Sequence, residues 1–364
     1  MMRCTCRIAL IILSVMLGFG VCSFAQTVTN VTATQVDKNI HVTYHLDQQA
    51  EISLYLSTDG GQTYTELHEV SGDVGKSITA GHKIIVWDVL AERERLVGEN
   101  IVFKVMAQGG GGNLEFTVNG VTFKMIYVKG GTFTMGCTWG QESDCYPGNK
   151  PSHQVTLSGF WMGETEVTQA LWQVVMNTTV REQRDKTNPI LVLLGEGANY
   201  PMYFVNYNEA VEFCNTLNSK LSGRLPSGYR FALPTEAQWE YAARGGNKSK
   251  GYKYAGGNTI GDVAWYTDNS SLRSHPVKGK QANELGLYDM SGNLEEWCSD
   301  WYSSSYYFSS SQTNPTGPSS GLHRVRRGGH MHNISMDCTV AHRDYGSPDC
   351  RGHWHGFRIA LVQQ

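Results

Sequence analysis

The order of apolar and polar positions divides this 364-residue chain into two parts with different periodicities. Between residues 26 and 108, apolar and polar side chains alternate in short runs, clearest at residues 40–44, 50–56, 83–87 and 100–105. The runs are rich in β-branched and aromatic residues and are bounded by Gly, Asp or Asn, which is typical of β-strands. Residues 26–108 are therefore predicted to form an all-β sandwich of the immunoglobulin-like or fibronectin-like type.

Four glycines and an asparagine follow at residues 109–113 and are predicted to be a flexible linker. The second part, residues 114–364, mixes strand and helix signals, and Thr235 and Gln238 have the spacing of a helix capping box. After Gly245, clustered Gly, Asn, Ser and Asp indicate long loops. The predicted elements are two strands within residues 121–135, a helix opening at residues 166–172, and helices over residues 208–221 and 235–243.

The first 25 residues have the pattern of a signal peptide. Arg3 and Arg7 precede an apolar run over residues 8–21, and Ser23 and Ala25 form a small-x-small cleavage site. The run is too short for a comfortable membrane span, and no other stretch is long enough. We therefore expect an exported protein without a transmembrane segment, located in the periplasm, at the cell surface or in the medium.

Charge and cysteine content narrow the function classes. Removal of Arg3 and Arg7 changes the formal charge from −3 to −5, which gives no electrostatic footprint for nucleic acid. Six cysteines remain after cleavage, and an oxidising compartment permits disulfides whose pairing the spacing leaves open.

Several motifs recur in order along the second part, and together they resemble the formylglycine-generating enzyme family, also called sulfatase-modifying factors. The resemblance implies an irregular α+β fold, a variant of the C-type lectin fold, over residues 114–364. It rests on residues 130–136, 166–168, 230–246, 283–297 and 356–358, and on the closing frame of Arg324, Val325, Gly328, Gly329, Cys338, Ala341 and Arg343.

The resemblance also implies a copper oxidase, but one position departs from it. Active members are similar in frame and hold copper with two cysteine thiolates five residues apart, since soft sulfur suits Cu(I). The second cysteine falls on Cys338 and the first on Asn333, which has no thiol. Three further positions differ from active members: His330 replaces a serine, Trp354 an asparagine and Glu295 a tryptophan. A member without oxidase activity is expected, with a sulfatase-maturating copper oxidase as the alternative.

The stretch between the closing anchors contains five of the twelve histidines. It resembles the C-terminal variable region of proteins diversified by retroelements, whose replaced asparagine codons yield His, Asp, Tyr, Gly and Cys. A surface of this composition suits recognition of a protein or glycan ligand. Three other interpretations remain. The stretch is an ordinary solvated loop, or its histidines and Cys338 form a metal site, or the protein is a structural component of the cell envelope. The predicted ligand-binding residues are His330, Met331, His332, Asn333, His342, Asp344, Tyr345, His353, Trp354 and His355.

The resemblance also implies a structural calcium ion. Asp289, Gly292, Leu294 and Glu296 have the spacing with which family members hold calcium through side-chain and carbonyl oxygens. The alternative is that Asp289 and Glu296 cap turns and pair with arginines.

Overall fold

The computed structural model describes residues 28–46, 50–96, 100–109, 112–138, 145–226 and 228–363. The chain forms two compact units, one ending at Gly112 and the other beginning at Asn113. The predicted signal peptide, residues 1–25, lies outside the described residues. Within the described ranges, no helix is long and apolar enough to cross a membrane.

The described residues of the first unit form two antiparallel sheets and one helical turn, α1. One sheet has the strand order β1-β2-β7-β5, and in the other β3 pairs with β4, β6 and β8. The last strand runs to Gly109, one residue into the predicted linker. The elements are β1 (Val28–Val36), β2 (Asn39–Leu46), β3 (Ala50–Ser57), β4 (Thr65–Glu66), β5 (Val70–Gly72), β6 (Gly75–Ile78), β7 (Gly81–Asp88), α1 (Val89–Glu92) and β8 (Val102–Gly109).

Alternation of side chains explains how the two sheets pack. Buried and partly exposed positions alternate along β2 and β3, as the period of two requires when one face of a strand covers the core. Val42, Leu54 and Trp87, from both sheets, are fully buried in one apolar cluster. The predicted all-β character of this part is confirmed.

The described residues of the second unit contain the remaining strands and five α-helices, joined by long loops. The strands are β9 (Leu114–Val118), β10 (Val121–Val128), β11 (Gly131–Met135), β12 (His153–Leu157), β13 (Phe160–Gly163), β14 (Tyr229–Ala232), β15 (Glu295–Trp301), β16 (Arg324–Arg327), β17 (Arg343–Gly346), β18 (His355–Gly356) and β19 (Ala360–Gln363). The helices are α2 (Gln169–Met176), α3 (Val180–Asp185), α4 (Tyr207–Lys220), α5 (Glu236–Ala243) and α6 (Ile260–Val263).

These strands form three sheets. A five-stranded sheet has the order β14-β19-β13-β10-β9, a four-stranded sheet has the order β17-β16-β15-β18, and β11 pairs with β12. The two strands predicted within residues 121–135 therefore belong to different sheets. The pairing of β15 with β18 is parallel, whereas the other pairs of the four-stranded sheet are antiparallel.

Helix caps and aromatic packing hold the second unit together. The hydroxyl of Thr235 accepts a hydrogen bond from the backbone N–H of Gln238, whose side chain accepts from the backbone N–H of Thr235, so the predicted capping box is present. The rings of Trp172 and Phe213 stack with centroids 5.7 Å apart, and Phe357 packs edge-on against both. The Gly-Phe-Arg motif thus supplies part of the core.

A disulfide joins Cys137 and Cys145, a pairing that the spacing of the cysteines left open. Cys214, Cys298 and Cys338 are buried free thiols, and Cys350 is an exposed one.

Candidate ligand-binding face

Three of the ten predicted ligand-binding residues lie on strands of the four-stranded sheet. Asp344 and Tyr345 lie on β17 and His355 lies on β18, at opposite edges of the sheet. Gly328 and Gly329 directly follow β16 and have φ values of 98° and 69°. A Cβ at residue 329 would lie 2.6 Å from the carbonyl oxygen of Asp337, so this close approach requires glycine.

Four rings meet beside the end of β16 and form a cluster centred on Trp354. The ring of His330 stacks on the indole with centroids 5.4 Å apart, and His332 and His353 lie 6.0 Å and 5.1 Å from it. The ring of His353 also packs against Phe204, at 5.2 Å. His330, His332, His353 and Trp354 are all partly exposed, so the cluster presents ring surface to solvent.

A buried carboxyl group lies beneath this cluster. Glu295 on β15 is 3% exposed, and its carboxyl oxygens lie 3.2 Å from a guanidinium nitrogen of Arg326 and 4.0 Å from Nε2 of His330. Burial raises the pKa of Glu295 to about 8, although the positive charge of Arg326 opposes the rise. Burial lowers the pKa of His330 to about 3, so His330 is neutral at physiological pH.

A second aromatic group lies around Tyr345. Its ring stacks on Tyr302 with centroids 4.2 Å apart and an interplanar angle of 21°, and His323 packs against it at 5.1 Å. Tyr345 is 44% exposed. Arg326 joins the two groups, because its guanidinium donates to the Asp344 carboxylate at 2.9 Å and to the Tyr345 carbonyl at 2.7 Å while lying beside Glu295.

Two of the predicted ligand-binding residues are internal, which corrects the sequence-based prediction. Met331 is fully buried in the main apolar core, and His355 is 2% exposed. The His355 ring contacts the Arg326 guanidinium and lies 5.5 Å from the Trp297 ring. Residues 330–333 form a turn, so His330 and His332 do not share the face of a strand.

Asn333 closes that turn. Its side-chain oxygen accepts from the backbone N–H of His330 at 2.8 Å, and its amide donates to the Asp337 carboxylate at 3.1 Å. Cys338 is fully buried beside Tyr254, and burial raises its thiol pKa. A single protonated thiol and a hydrogen-bonded amide do not fit a bis-thiolate copper site.

Residues distant in the sequence extend the face. The Tyr146 hydroxyl donates to Asp337 at 2.8 Å, and its ring packs against His342 at 5.2 Å. On another side, the Leu272 carbonyl lies 2.9 Å from Nε2 of His332. No local pattern in the sequence links Tyr146, Leu272, Tyr302 or His323 to the C-terminal stretch, so their place on this face was not predicted.

The predicted calcium ligands Glu296 and Asp289 differ in how well their surroundings suit a calcium ion. Both carboxyl oxygens of Glu296 accept from Arg358 at 2.6 Å, and one also accepts from the Trp239 indole N–H at 2.6 Å. Glu296 is therefore paired with an arginine, as expected if it does not bind calcium. Its carboxyl oxygens are already occupied and fit a calcium ion poorly. Asp289 fits better because its Oδ1 is buried without a hydrogen-bond partner, while Oδ2 accepts from the Lys278 N–H at 2.8 Å.

Glu166 completes this buried group of charges. It accepts from the Leu294 N–H at 3.0 Å and from the Asn293 amide at 2.8 Å. Burial raises its pKa, and the neighbouring Asp289 and Glu296 raise it further. A proton or a cation bound at this group would compensate its buried negative charge, and calcium here remains a prediction. Nowhere in the described ranges do three or more His, Cys, Asp or Glu side chains form a group arranged for a metal ion.

The model of the sulfatase-modifying factor enzyme 1-like domain matches residues 115–362. The chain belongs to this family. It is similar to the formylglycine-generating enzyme of Streptomyces coelicolor, with 30% identity over 65% of this chain and 88% of that protein. It is also 30% identical to the serine/threonine-protein kinase Pkn1 of Chlamydia trachomatis over 65% of this chain, but the match spans only 38% of the length of that kinase.

Solved structures share the fold of the second unit. The Treponema denticola variable protein 1 superimposes with a TM-score of 0.59 and 33% identity, over 68% of this chain and 98% of that one. PvdO from Pseudomonas aeruginosa has a TM-score of 0.53 and 23% identity over 68% of this chain and 97% of its own, which shows the fold alone. These matches confirm the predicted family and the irregular α+β fold class.

Proposed function

We propose that this sulfatase-modifying-factor-type unit is a ligand-binding module of an exported protein, and that it does not catalyse cysteine oxidation. The observation that carries the proposal is the partly exposed ring cluster of His330, His332, His353 and Trp354. Aromatic and imidazole rings supply large contact areas at a small cost in conformational entropy, which is why they dominate recognition surfaces.

Contacts beneath the cluster support recognition by preformed side chains. Trp354 contacts the rings of His330, His332 and His353, and Tyr345 stacks on Tyr302, so both partly exposed rings are packed against neighbours before a ligand binds. Side chains that are ordered before binding lose less entropy when a ligand arrives. The ligand is a protein or a glycan that places apolar or ring surfaces against these two groups.

The similarity to a protein named a variable protein supports a further part of the proposal. The residues that differ from active formylglycine generators meet in space, since Glu295, His330 and Trp354 lie in one group. His330 and Trp354 are partly exposed and belong to the C-terminal stretch, which agrees with diversification of a binding surface by a retroelement, whereas Glu295 is buried beneath them. A reverse transcriptase gene beside a near-copy of the 3′ end of this gene is the expected genomic finding, whereas an adjacent sulfatase gene would favour maturation.

Two experiments test the proposal. Displayed peptide libraries and glycan arrays are probed with the full chain, and recovered ligands are expected to be lost by Tyr345→Ala and Trp354→Ala while both variants remain folded at the temperature of the binding assay. Retention by both variants would refute the assignment of the face. In the second experiment, the copper-loaded protein is incubated with a cysteine-containing sulfatase peptide, and we expect no aldehyde; its formation would establish the oxidase instead.

A further inference from the structure

A concave site lies beside α3, and neither the ring cluster nor the family resemblance accounts for it. The cavity of about 420 Å³ is bounded by α3, the loop of residues 189–196 and Arg273. Three of its lining side chains are arginines, Arg181, Arg184 and Arg273, and one is an acid, Glu196. Its lining therefore has an excess of positive charge.

The arginines differ in how much of their charge is compensated. Arg181 forms a two-bond pair with Glu196, but the two side chains are 58% and 41% exposed, so the pair is weak. Arg184 pairs with Asp185. Arg273 donates to the Leu193 carbonyl at 3.2 Å, and within the described ranges no carboxylate lies at ion-pair distance from it. Its charge is available to an anion.

The floor of the site is fixed by buried hydrogen bonds. The Tyr203 hydroxyl donates to the Gly195 carbonyl at 2.8 Å, and the Gln169 amide donates to the same carbonyl at 3.1 Å. Burial raises the pKa of Tyr203, and the charges of Glu196, Arg273 and Arg181 also act on its hydroxyl.

Exposed aliphatic side chains belong to the same lining. Ile190 is 82% exposed and Val192 is 67% exposed, which places them among the most exposed large apolar residues of the described chain. A ligand that covers them removes apolar surface from water, which favours binding. The site thus combines an anion-binding group with an aliphatic surface.

The apolar surface continues toward the ring cluster. Leu272, next to Arg273, is 52% exposed, and its carbonyl lies 2.9 Å from Nε2 of His332. Ser271 and Leu272 both adopt left-handed backbone conformations, with φ of 54° and 56°, which non-glycine residues rarely do. Strain of this kind accumulates at functional sites.

We propose that this cavity binds an aliphatic side chain together with an adjacent carboxylate, presented by a peptide segment of a protein ligand. The carboxylate pairs with Arg273 and with the outer side of Arg181, and the aliphatic group covers Ile190 and Val192. The choice of a peptide over a fatty acid rests on the proposed function, because the cavity adjoins the ring cluster through Leu272.

Small probes test this site directly by ligand-detected NMR titration of the full chain. N-acetyl-leucine is expected to bind with a dissociation constant in the millimolar range, and N-acetyl-leucinamide roughly tenfold more weakly, since it lacks the charge-assisted hydrogen bonds. Equal binding of the two probes would overturn the proposal. Octanoate is expected to bind more weakly than N-acetyl-leucine, and tighter binding of octanoate would overturn the choice of a peptide.

Variants locate the site. Arg181→Gln combined with Arg273→Gln is expected to weaken N-acetyl-leucine binding roughly tenfold, whereas the charge-matched Lys220→Gln with Lys250→Gln leaves it unchanged. Ile190→Ser with Val192→Ser alters only exposed side chains and is also expected to weaken binding. Unchanged binding in both cavity variants would overturn the proposal.

Trp354→Ala separates this site from the ring cluster, because it is expected to leave probe binding unchanged. Loss of probe binding in that variant would place the probe on the ring cluster and would overturn the assignment to the cavity. Failure of the proposed function would instead leave probe binding at the cavity intact.

Discussion

The ring of His330 lies nearly parallel to the indole of Trp354, with an interplanar angle of 21° and centroids 5.4 Å apart. The two residues are 24 positions apart in the sequence, and both differ from the residues that the resemblance to active formylglycine generators leads one to expect. Their contact brings two of the positions that differ from active members together in the partly exposed ring cluster. Nε2 of His330 also lies 4.0 Å from a carboxyl oxygen of Glu295, which is another position that differs from active members.

The turn at Asn333 gives a stability prediction. Asn333→Ala is expected to lower the free energy of unfolding by about 1–3 kcal/mol, because the His330 N–H loses its acceptor in a partly buried position. Denaturant unfolding measures the change, with Asn215→Ala on the exposed side of α4 as the control. Equal stability of Asn333→Ala and the native chain would show that the turn does not depend on this amide.

Glu295 predicts a dependence of stability on pH. Its folded-state pKa of about 8 lies above the ordinary value of 4.5, so the folded protein binds this proton more tightly than the unfolded chain does. The resulting stabilisation is complete below about pH 4.5 and is lost as the pH rises through about 8.

Glu295→Gln, which keeps an uncharged side chain at every pH, isolates this contribution. The variant is expected to gain stability relative to the native chain by a few kcal/mol between about pH 5 and about pH 9. Unfolding free energies of both proteins at the two pH values measure the gain. A difference between the two proteins that stays constant with pH would show that Glu295 is already ionised at low pH.

The capping box of α5 predicts a smaller effect. Thr235→Ala removes the acceptor of the Gln238 N–H and is expected to cost about 1 kcal/mol of unfolding free energy, whereas Thr235→Ser keeps the hydroxyl and most of the stability. Chemical unfolding of the two variants compares them. Equal losses in both would assign the effect to the methyl group of the threonine.

The unpartnered Oδ1 of Asp289 makes the calcium prediction testable. If calcium binds there, free ion at about a hundred times its dissociation constant adds about 2.7 kcal/mol to the unfolding free energy. A chelator is therefore expected to lower the melting temperature of the native chain and to leave that of Asp289→Asn unchanged. If the chelator does not change the melting temperature of the native chain, the calcium prediction is wrong.

The sequence predicted those strands and helices whose formation depends on residues that are close to one another along the chain. The strands β2, β3 and β7 follow an alternation of period two, and α5 begins at a residue whose hydroxyl and partner glutamine are three positions apart. These features depend on neighbours in the sequence, so a single sequence contains them. The helix α3 was not predicted although it has a capping box of Thr179 and Glu182, since its six residues carry little periodicity.

The composition of the face was only partly predictable, because burial is a property of the assembled sheets. Met331 and His355 lie among surface residues in the sequence, yet one enters the main core and the other lies beside Arg326. Tyr146 reaches the face from 191 positions before Asp337, which no spacing rule indicates.

The most direct test of the ligand-binding face compares two aromatic truncations against a ligand selected with the native chain. Trp354→Ala is expected to raise the dissociation constant at least tenfold, as at other central aromatic contacts, which cost about 2 kcal/mol or more. Phe308→Ala, which removes a ring that is 77% exposed outside the cluster, is expected to leave the constant unchanged. An unchanged constant for Trp354→Ala would contradict the account.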